Sequence, residues 1–183
     1  MSGVKRVLRG MSNLSIFPVT KNSSTEYAVG EKISIPGVQS LSSTKNTEKW
    51  TIYADDGIYD TGADWKGNTF TLQLADLPHN LRSYFEGGEY DEEAGTYTFM
   101  ADSEAPEIAM SFASALGGDA KELTKVYSLK CTKVSFEHKT KGESNSYTPV
   151  KIEGEFMQRK SDGAVFVKKD ATDEDLSWLD TIA

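Results

Sequence analysis

The stretch TFTLQL, residues 69–74, alternates polar and apolar side chains without interruption. Successive side chains of a β-strand point to opposite faces, so Phe70, Leu72 and Leu74 share one face and the polar residues share the other. The pattern predicts a half-buried strand, with its apolar face on a core and its polar face in solvent. Such strands are typical of antiparallel sheets.

The same two-residue period recurs along most of the chain. It appears in five further short segments: Ile33/Ile35, Trp50/Ile52, Tyr97/Phe99, Ile108/Met110/Phe112 and Val150/Ile152/Gly154/Phe156. We therefore expect a mainly antiparallel β protein. Because no internal repeat and no Pro- or Gly-rich linker divides the chain, residues 1–183 are expected to form a single domain.

Two irregularities interrupt the alternation. In residues 126–138 the apolar positions change parity between Cys131 and Val134, which predicts a β-bulge or bend near Thr132, because a slip of one residue would bury the wrong face. Farther on, Asp162-Gly163 separates Phe156-Met157 from the apolar run at 165–167. An Asp-Gly pair between two apolar runs predicts a tight hairpin.

Helical signals occur in two segments. In residues 76–85, Asp76 can cap a helix, Pro78 suits its first turn, and the apolar residues fall on one side: Leu77, Leu81, Tyr84 and Phe85. Near the C-terminus, Thr172 is a candidate cap before Asp173–Asp175, where the helix dipole favours anions, and Leu176 and Leu179 would face inward. We expect one mid-chain helix and a short C-terminal helix.

Composition limits the compartment and the partners. The chain has 183 residues, a formal net charge of −8 and a single cysteine, Cys131, so an intramolecular disulfide is impossible and a reducing compartment is expected. No run approaches the ~18 apolar residues of a membrane span, and the N-terminus lacks the apolar core of an export signal. These features predict a soluble intracellular protein.

Acidic residues concentrate in the middle of the chain. The segment 83–120 contains no Lys or Arg and nine carboxylates: Glu86, Glu89, Asp91, Glu92, Glu93, Asp102, Glu104, Glu107 and Asp119. This distribution argues against nucleic-acid binding through phosphate neutralisation, which requires clustered basic residues. Two interpretations stand: a solvated acidic loop region, or a surface that repels DNA.

The letters DTGAD at residues 60–64 match the active-site signature of retroviral aspartic proteases, in which Asp60 would share a proton with its copy in a second chain. The residues Ala115–Asp119 lie where such enzymes carry a bracing segment. The approach to Asp60, residues 53–59, is polar, however, and Trp65–Asn68 is interpreted as a turn rather than an apolar strand. The only candidate flap is the acidic Glu86–Glu89. The protease is kept as the alternative function.

Other chemistry has weak support in the sequence. The cluster Asp55, Asp56, Asp60 and Asp64 lacks the ligand order of an EF-hand, so a solvated acidic turn is favoured over a calcium site. The two histidines, His79 and His138, have no metal-type partners nearby, and Cys131 lies on the apolar parity of a strand. We expect no catalytic residues, no metal and no cofactor, and therefore a protein that is not an enzyme.

Several short motifs resemble, in order and spacing, the major tail proteins of long-tailed, non-contractile phages of Gram-positive bacteria. They are GMSNL at 10–14 with FPVT at 17–20, IPGVQSL at 35–41, YADDGIY at 53–59, and a strand leading into a helix at 74–87. The likeness covers the chain to about residue 110 and is only a general β pattern beyond it. On this resemblance, DTGAD is the turn that follows YADDGIY.

The resemblance implies a tail-tube fold, with two packed antiparallel sheets in a β-sandwich flanked by an α-helix. It also implies hexameric rings that stack into a tube in the virion tail, assembled in the host cytoplasm. Implied partners are other copies of the chain and the tape measure, tail terminator and distal tail proteins. Phage DNA would pass through the lumen without specific binding, which suits the acidic excess.

The segment Lys45–Lys66 carries a heavy aromatic load for a solvent loop. Exposed aromatic residues often anchor interfaces, since they bury large areas at low rotamer cost. We therefore predict inter-subunit contacts at four residues: Tyr53, Ile58, Tyr59 and Trp65. The segment would be mobile in a monomer and ordered on assembly. Alternatively, these side chains cover their own sandwich, and the protein is a monomeric β-sandwich that binds a carbohydrate or another partner.

Overall fold

The computed structural model describes residues 7–117, 120–138, 140, 148–172 and 176–182. Within these ranges the chain forms eleven strands and one α-helix: β1 Gly10–Asn22, β2 Tyr27–Val29, β3 Ile33–Ser34, β4 Val38–Ala54, β5 Gly57–Leu74, α1 His79–Glu86, β6 Glu89–Asp91, β7 Thr96–Thr98, β8 Ile108–Ala115, β9 Ala120–Ser135, β10 Val150–Met157 and β11 Phe166–Thr172. A 3-10 helix, Ser177–Asp180, follows. Asp119 and Asp173–Asp175 lie outside the described residues.

The strands form one large antiparallel sheet and one small one. The large sheet has the order β2-β1-β8-β9-β10-β5-β4, with β3 also pairing with β1 and β11 also pairing with β9. The strands β6 and β7 form a separate two-stranded sheet beside α1. The protein is therefore mainly β, with a large antiparallel sheet, a small second sheet and one helix, as predicted, and the arrangement is consistent with a β-sandwich.

A short connection brings the two ends of the large sheet together. The strand β3 pairs with β1 and β4 pairs with β5, yet only Ile35-Pro36-Gly37 separates β3 from β4. The Ile35 amide donates to the Leu14 carbonyl at 2.9 Å, and the Ala75 amide donates to the Gly37 carbonyl at 2.6 Å. The sheet consequently curls back on itself, and its concave face encloses the core.

The core contains the strand whose polar and apolar alternation is clearest in the sequence, residues 69–74. Phe70, Leu72 and Leu74 are buried, and the ring of Phe70 stacks on Phe156 with the centroids 5.0 Å apart. Around them pack apolar side chains from β1, β8, β9, β10 and α1, including Leu14, Ile16, Leu81, Phe85, Ile108, Met110, Leu129 and Ile152. The predicted half-buried strand is confirmed.

The bulge predicted near Thr132 is also confirmed. In the pairing of β9 with β10, Cys131 faces Gly154 and Lys133 faces Glu153, so Thr132 is the extra residue. The bulge lets Cys131 stay buried while the chain shifts phase toward Val134. The first half of β9 pairs instead with β11, so β9 has two different partners on one edge.

The predicted hairpin at Asp162-Gly163 is wrong in its strand pairing. A turn does form there, with the Gly163 amide donating to the Arg159 carbonyl at 2.8 Å and Gly163 at φ +75°. The strand that follows, β11, pairs with β9, because β10 already has β5 on one edge and β9 on the other. A strand without a free edge cannot form a hairpin with its successor.

The helical predictions hold in part. The helix α1 spans His79–Glu86 and buries Leu81 and Phe85, and the Asp76 carboxylate accepts a hydrogen bond from the Leu77 amide at 2.8 Å. Thr172 is the last residue of β11 rather than a helix cap, and the C-terminal element is a 3-10 turn that buries Leu179. In the described part of the chain, no helix is long and apolar enough to cross a membrane.

Candidate assembly interface

The strands β4 and β5 extend well beyond the body of the molecule. Pairing of β10 with β5 ends at Asn68, whereas β4 and β5 continue to pair with each other as far as Ala54 and Gly57. None of residues 46–67 is buried. At the usual rise of a strand this two-stranded ribbon is roughly 35 Å long. We call residues 46–67 the ribbon.

The turn of the ribbon is at Asp55-Asp56, not in DTGAD. These two residues have φ values of 50° and 62°, the left-handed conformation that two-residue hairpin loops require. DTGAD and Trp65–Asn68, both interpreted as turns, lie within β5. The interpretation failed because both faces of the ribbon meet solvent, so no apolar alternation marks these residues as a strand.

Three of the four predicted contact residues lie together at the tip. Tyr53 pairs with Ile58 across the ribbon, and Tyr59 is an extra residue in a bulge beside them. Their exposed fractions are 73%, 66% and 75%, so these side chains do not cover their own sandwich. A cluster of apolar side chains this exposed is unusual for a monomer and typical of a contact surface.

Trp65 does not join this cluster. It lies near the base of the ribbon, where its indole Nε1 donates to the Asn68 side chain at 2.8 Å and only 37% of the residue is exposed. Its orientation is thus fixed within the subunit. By contrast, the structure adds Ile52, which is 51% exposed near the tip. Ile52 belongs to the same apolar load of the segment Lys45–Lys66 and alternates with Trp50, but it was not among the predicted contacts.

The glycine of DTGAD has a structural explanation. Gly62 pairs with Trp50 across the ribbon, and a Cβ atom at Gly62 would lie 2.4 Å from the Trp50 ring. The indole therefore lies flat over the glycine, in the way that aromatic residues cover cross-strand glycines. This packing leaves Trp50 38% exposed despite its position outside the body.

The aspartate of the motif lies on the surface of the ribbon. Asp60 pairs with Ile52, and its carboxylate accepts a hydrogen bond from the Thr61 amide at 2.8 Å. Aspartic proteases require two carboxylates that share a proton.

In the described ranges, no three His, Cys, Asp or Glu side chains are placed to hold a metal ion.

The remaining candidates from the sequence lie in the body. Burial raises the pKa of the Cys131 thiol to about 12, which keeps it protonated and unreactive at neutral pH. His138 packs edge-on against Phe136, and His79 begins α1. In the acidic segment 83–120, Glu104 pairs with Lys130 and Glu107 accepts hydrogen bonds from Asn22 and Ser128. Of the carboxylates that the structure describes there, six are exposed: Glu89, Asp91, Glu92, Glu93, Asp102 and Glu104.

Compared with known proteins, the chain matches no family model and no curated sequence.

Proposed function

We propose that the chain is a structural virion protein, a major tail protein that assembles into stacked hexameric rings forming the tail tube. The ribbon is the observation that carries this proposal. It holds Tyr53, Ile58 and Tyr59 away from the core, where each is 66–75% exposed. Exposed apolar side chains and unpaired strand edges on one projecting element favour association with further copies.

The charges of the molecule are compatible with a conduit for DNA. Four exposed carboxylates on the small sheet and its following loop, Glu89, Glu92, Glu93 and Asp102, contribute to the net charge of −8. A lumen of this sign would offer DNA no gain from counterion release, so the polymer would slide without adhering. The tape measure, tail terminator and distal tail proteins would be further partners, and the virion tail would be the final location.

Particle size tests the proposal directly. Purified protein would be concentrated stepwise and examined by sedimentation velocity and by negative-stain electron microscopy. We expect rings of uniform diameter or tubes built from them. A species that stays monomeric over the whole concentration range, also when a tail initiator complex is added, would contradict assembly. Peptide cleavage that is lost in Asp60→Asn would instead favour the protease.

A further inference from the structure

A groove beside α1 combines exposed aromatic and basic side chains. It lies between α1, β7, the loop after β7 and the second half of β9, with a volume of about 730 Å³. Its apolar lining includes Phe99, Cys131, Val134 and Phe136. Phe99 and Phe136 are 58% and 47% exposed, which is high for aromatic residues that border a concave surface. We call this site the groove.

Arg82 of α1 forms one wall of the groove. Its guanidinium lies 4.6 Å from the ring centroid of Phe136, a cation–π distance, and 4.0 Å from the Glu86 carboxylate. Its Nε is buried and has no hydrogen-bond partner among the described residues. Arginines stacked on aromatic rings are among the residues that contribute most to protein interfaces.

The groove carries basic side chains at its lining, whereas the ribbon tip carries only acidic charges. Arg82, Lys130 and Lys133 of the groove outnumber its carboxylates, Glu86 and Glu104. The two lysines pair with Glu104 at 3.1 Å and with Glu153 at 3.7 Å, and both pairs are exposed enough to exchange partners at little cost. The tip carries Asp55, Asp56 and Asp60, and no basic residue occurs between Trp50 and Trp65.

Strand register shows that the tip cannot reach its own groove. Along β10, Phe156 faces Asn68 of β5 and Leu129 of β9, and the ribbon leaves the body beyond this level. Going the other way along β10, its residues 155, 154 and 153 face Lys130, Cys131 and Lys133, which line the groove. The ribbon therefore points away from the groove, and only a second molecule can bring the two surfaces together.

We infer that the groove between α1 and β9 is the docking site for the ribbon tip of another copy, with Tyr53, Ile58 and Tyr59 against its aromatic lining and the tip aspartates beside Lys130 and Lys133. The inference rests on the proposed self-assembly. The two surfaces differ and extend in opposite directions along the strands, so each copy donates a tip and accepts one. Such head-to-tail contacts do not saturate in a dimer; they propagate or close a ring.

Cross-linking tests whether the ribbon tip of one copy lies near the groove of another. One variant carries Ala54→Cys at the tip and another carries Thr132→Cys at the groove; both residues are exposed, and the buried Cys131 is kept. A short bis-maleimide should give a dimer from a mixture of the two variants and a ladder from the double variant. Each single variant alone serves as the control and should stay uncross-linked.

Charge reversal tests the complementarity. We expect the groove variant Lys130→Glu/Lys133→Glu to weaken self-association about tenfold in sedimentation velocity, since each charge pair at a rim contributes modestly. The tip variant Asp55→Asn/Asp56→Asn/Asp60→Lys, which keeps residues tolerant of positive φ in the turn, should weaken it to a similar extent. A protein that carries both the groove substitutions and the tip substitutions should associate again, because the charges are complementary once more. Lys21→Glu, at an exposed pair with Glu26, is the control and should have no effect.

The outcomes separate this inference from the proposed function. Rings or tubes that form without cross-linking, and with normal assembly of the charge variants, would overturn the groove as the docking site while the proposed function stands. Cross-linking and rescue without any ring or tube would support the docking contact and contradict the tail-tube role. No association between copies at any concentration would overturn both.

Discussion

Gly62 allows an aromatic side chain to lie across the ribbon, and its replacement tests that packing. In Gly62→Ala the new methyl group would overlap the Trp50 ring, so the indole must move. We expect a shifted Trp50 indole N–H resonance in NMR spectra and roughly tenfold faster hydrogen exchange in residues 47–65, because the ladder loosens locally. Thermal unfolding of the body should change little.

Gly57→Ala is the matched control for this experiment, since a Cβ atom at Gly57 meets nothing within 4 Å. An unchanged Trp50 resonance in Gly62→Ala would mean that the indole does not lie over the glycine.

Gly154 occupies the tightest point of the core sheet. A Cβ atom there would lie 2.3 Å from the Lys130 carbonyl oxygen and 2.7 Å from the Phe70 ring. Because the backbone of β9 cannot give way cheaply next to its bulge, we expect Gly154→Ala to lower the free energy of unfolding by about 2–4 kcal/mol in denaturant titrations. Gly10→Ala, in open space, should lie within about 0.5 kcal/mol of the parent.

Cys131 reports on the integrity of the same core. Its thiol is buried and its pKa is raised to about 12, so little thiolate exists at pH 8. We expect alkylation by iodoacetamide at least 100-fold slower in the native protein than in the denatured one. Rapid stoichiometric alkylation of native protein would show that the second half of β9 opens readily.

At the scale of elements, an ion pair reinforces the turn between β10 and β11. Arg159 donates to both carboxylate oxygens of Asp162, at 3.0 and 2.7 Å, and stacks on Tyr127 with its guanidinium 4.0 Å from the ring centroid. The hydrogen bond from Arg159, together with one from the Ala164 amide, lowers the Asp162 pKa to about 2 from 3.8. A carboxyl group with a lowered native pKa stabilises the fold above its unfolded pKa and loses that contribution as the pH falls.

The lowered pKa of Asp162 defines the pH range over which this contribution to stability is lost. Stability of the parent protein should decline between about pH 4 and pH 2 in part because Asp162 becomes protonated. The variant Asp162→Asn should be less stable than the parent at pH 6, and the difference should shrink as the pH approaches 2. Unfolding midpoints measured from pH 2 to 6 would show it; a constant difference over that range would rule out the ion pair as its source.

The ribbon is the element on which the proposed function depends most. We expect Tyr53→Ala/Ile58→Ala to reduce the yield of rings or tubes more than tenfold, because an interface loses its apolar anchor, while monomer stability stays near that of the parent. Thr51→Ala/Thr61→Ala, an exposed cross-strand pair on the same ribbon, is the control. Hydrogen exchange provides a second measurement: residues 45–66 should gain protection on assembly, and equal protection before and after would contradict the interface.

Some of these elements could be predicted from the sequence and others could not. The strand at 69–74 and the bulge at Thr132 were predictable, because a buried face imposes alternation and marks every slip of phase. The pairing of β11 was not, since it depends on which strand edges are free in the finished sheet. Likewise, the aromatic load marked the ribbon tip, whereas the groove joins Arg82 and Phe136 from distant parts of the chain, and only the folded structure brings them together.

At the scale of the whole molecule, the acidic surface of the small sheet can be tested for its effect on DNA. Reversing the exposed Glu89, Glu92, Glu93 and Asp102 to Lys should create DNA retention that disappears as salt is raised. Asp91 is left unchanged because its carboxylate accepts hydrogen bonds from the Glu93 and Ala94 amides and holds the turn. Filter binding at low and high salt measures the effect.

The same four reversals should also slow passage of DNA through assembled tubes if this surface faces the lumen. Normal DNA passage and no DNA binding by tubes of the reversed variant would place these side chains elsewhere. The variants Asp170→Lys and Glu31→Lys, which reverse acidic residues outside the acidic segment, are the comparison.

During translation, β1 is made well before its partner strand β8. About 85 residues separate the end of β1 from the start of β8, so at roughly 5–20 residues per second the ribosome needs about 4–17 s to supply the partner strand. During that interval Leu14, Ile16 and Phe17 have no β8 to cover them. The nascent chain is therefore prone to aggregation until β8 has been made, and abundant chaperones during synthesis should raise the yield of folded subunits.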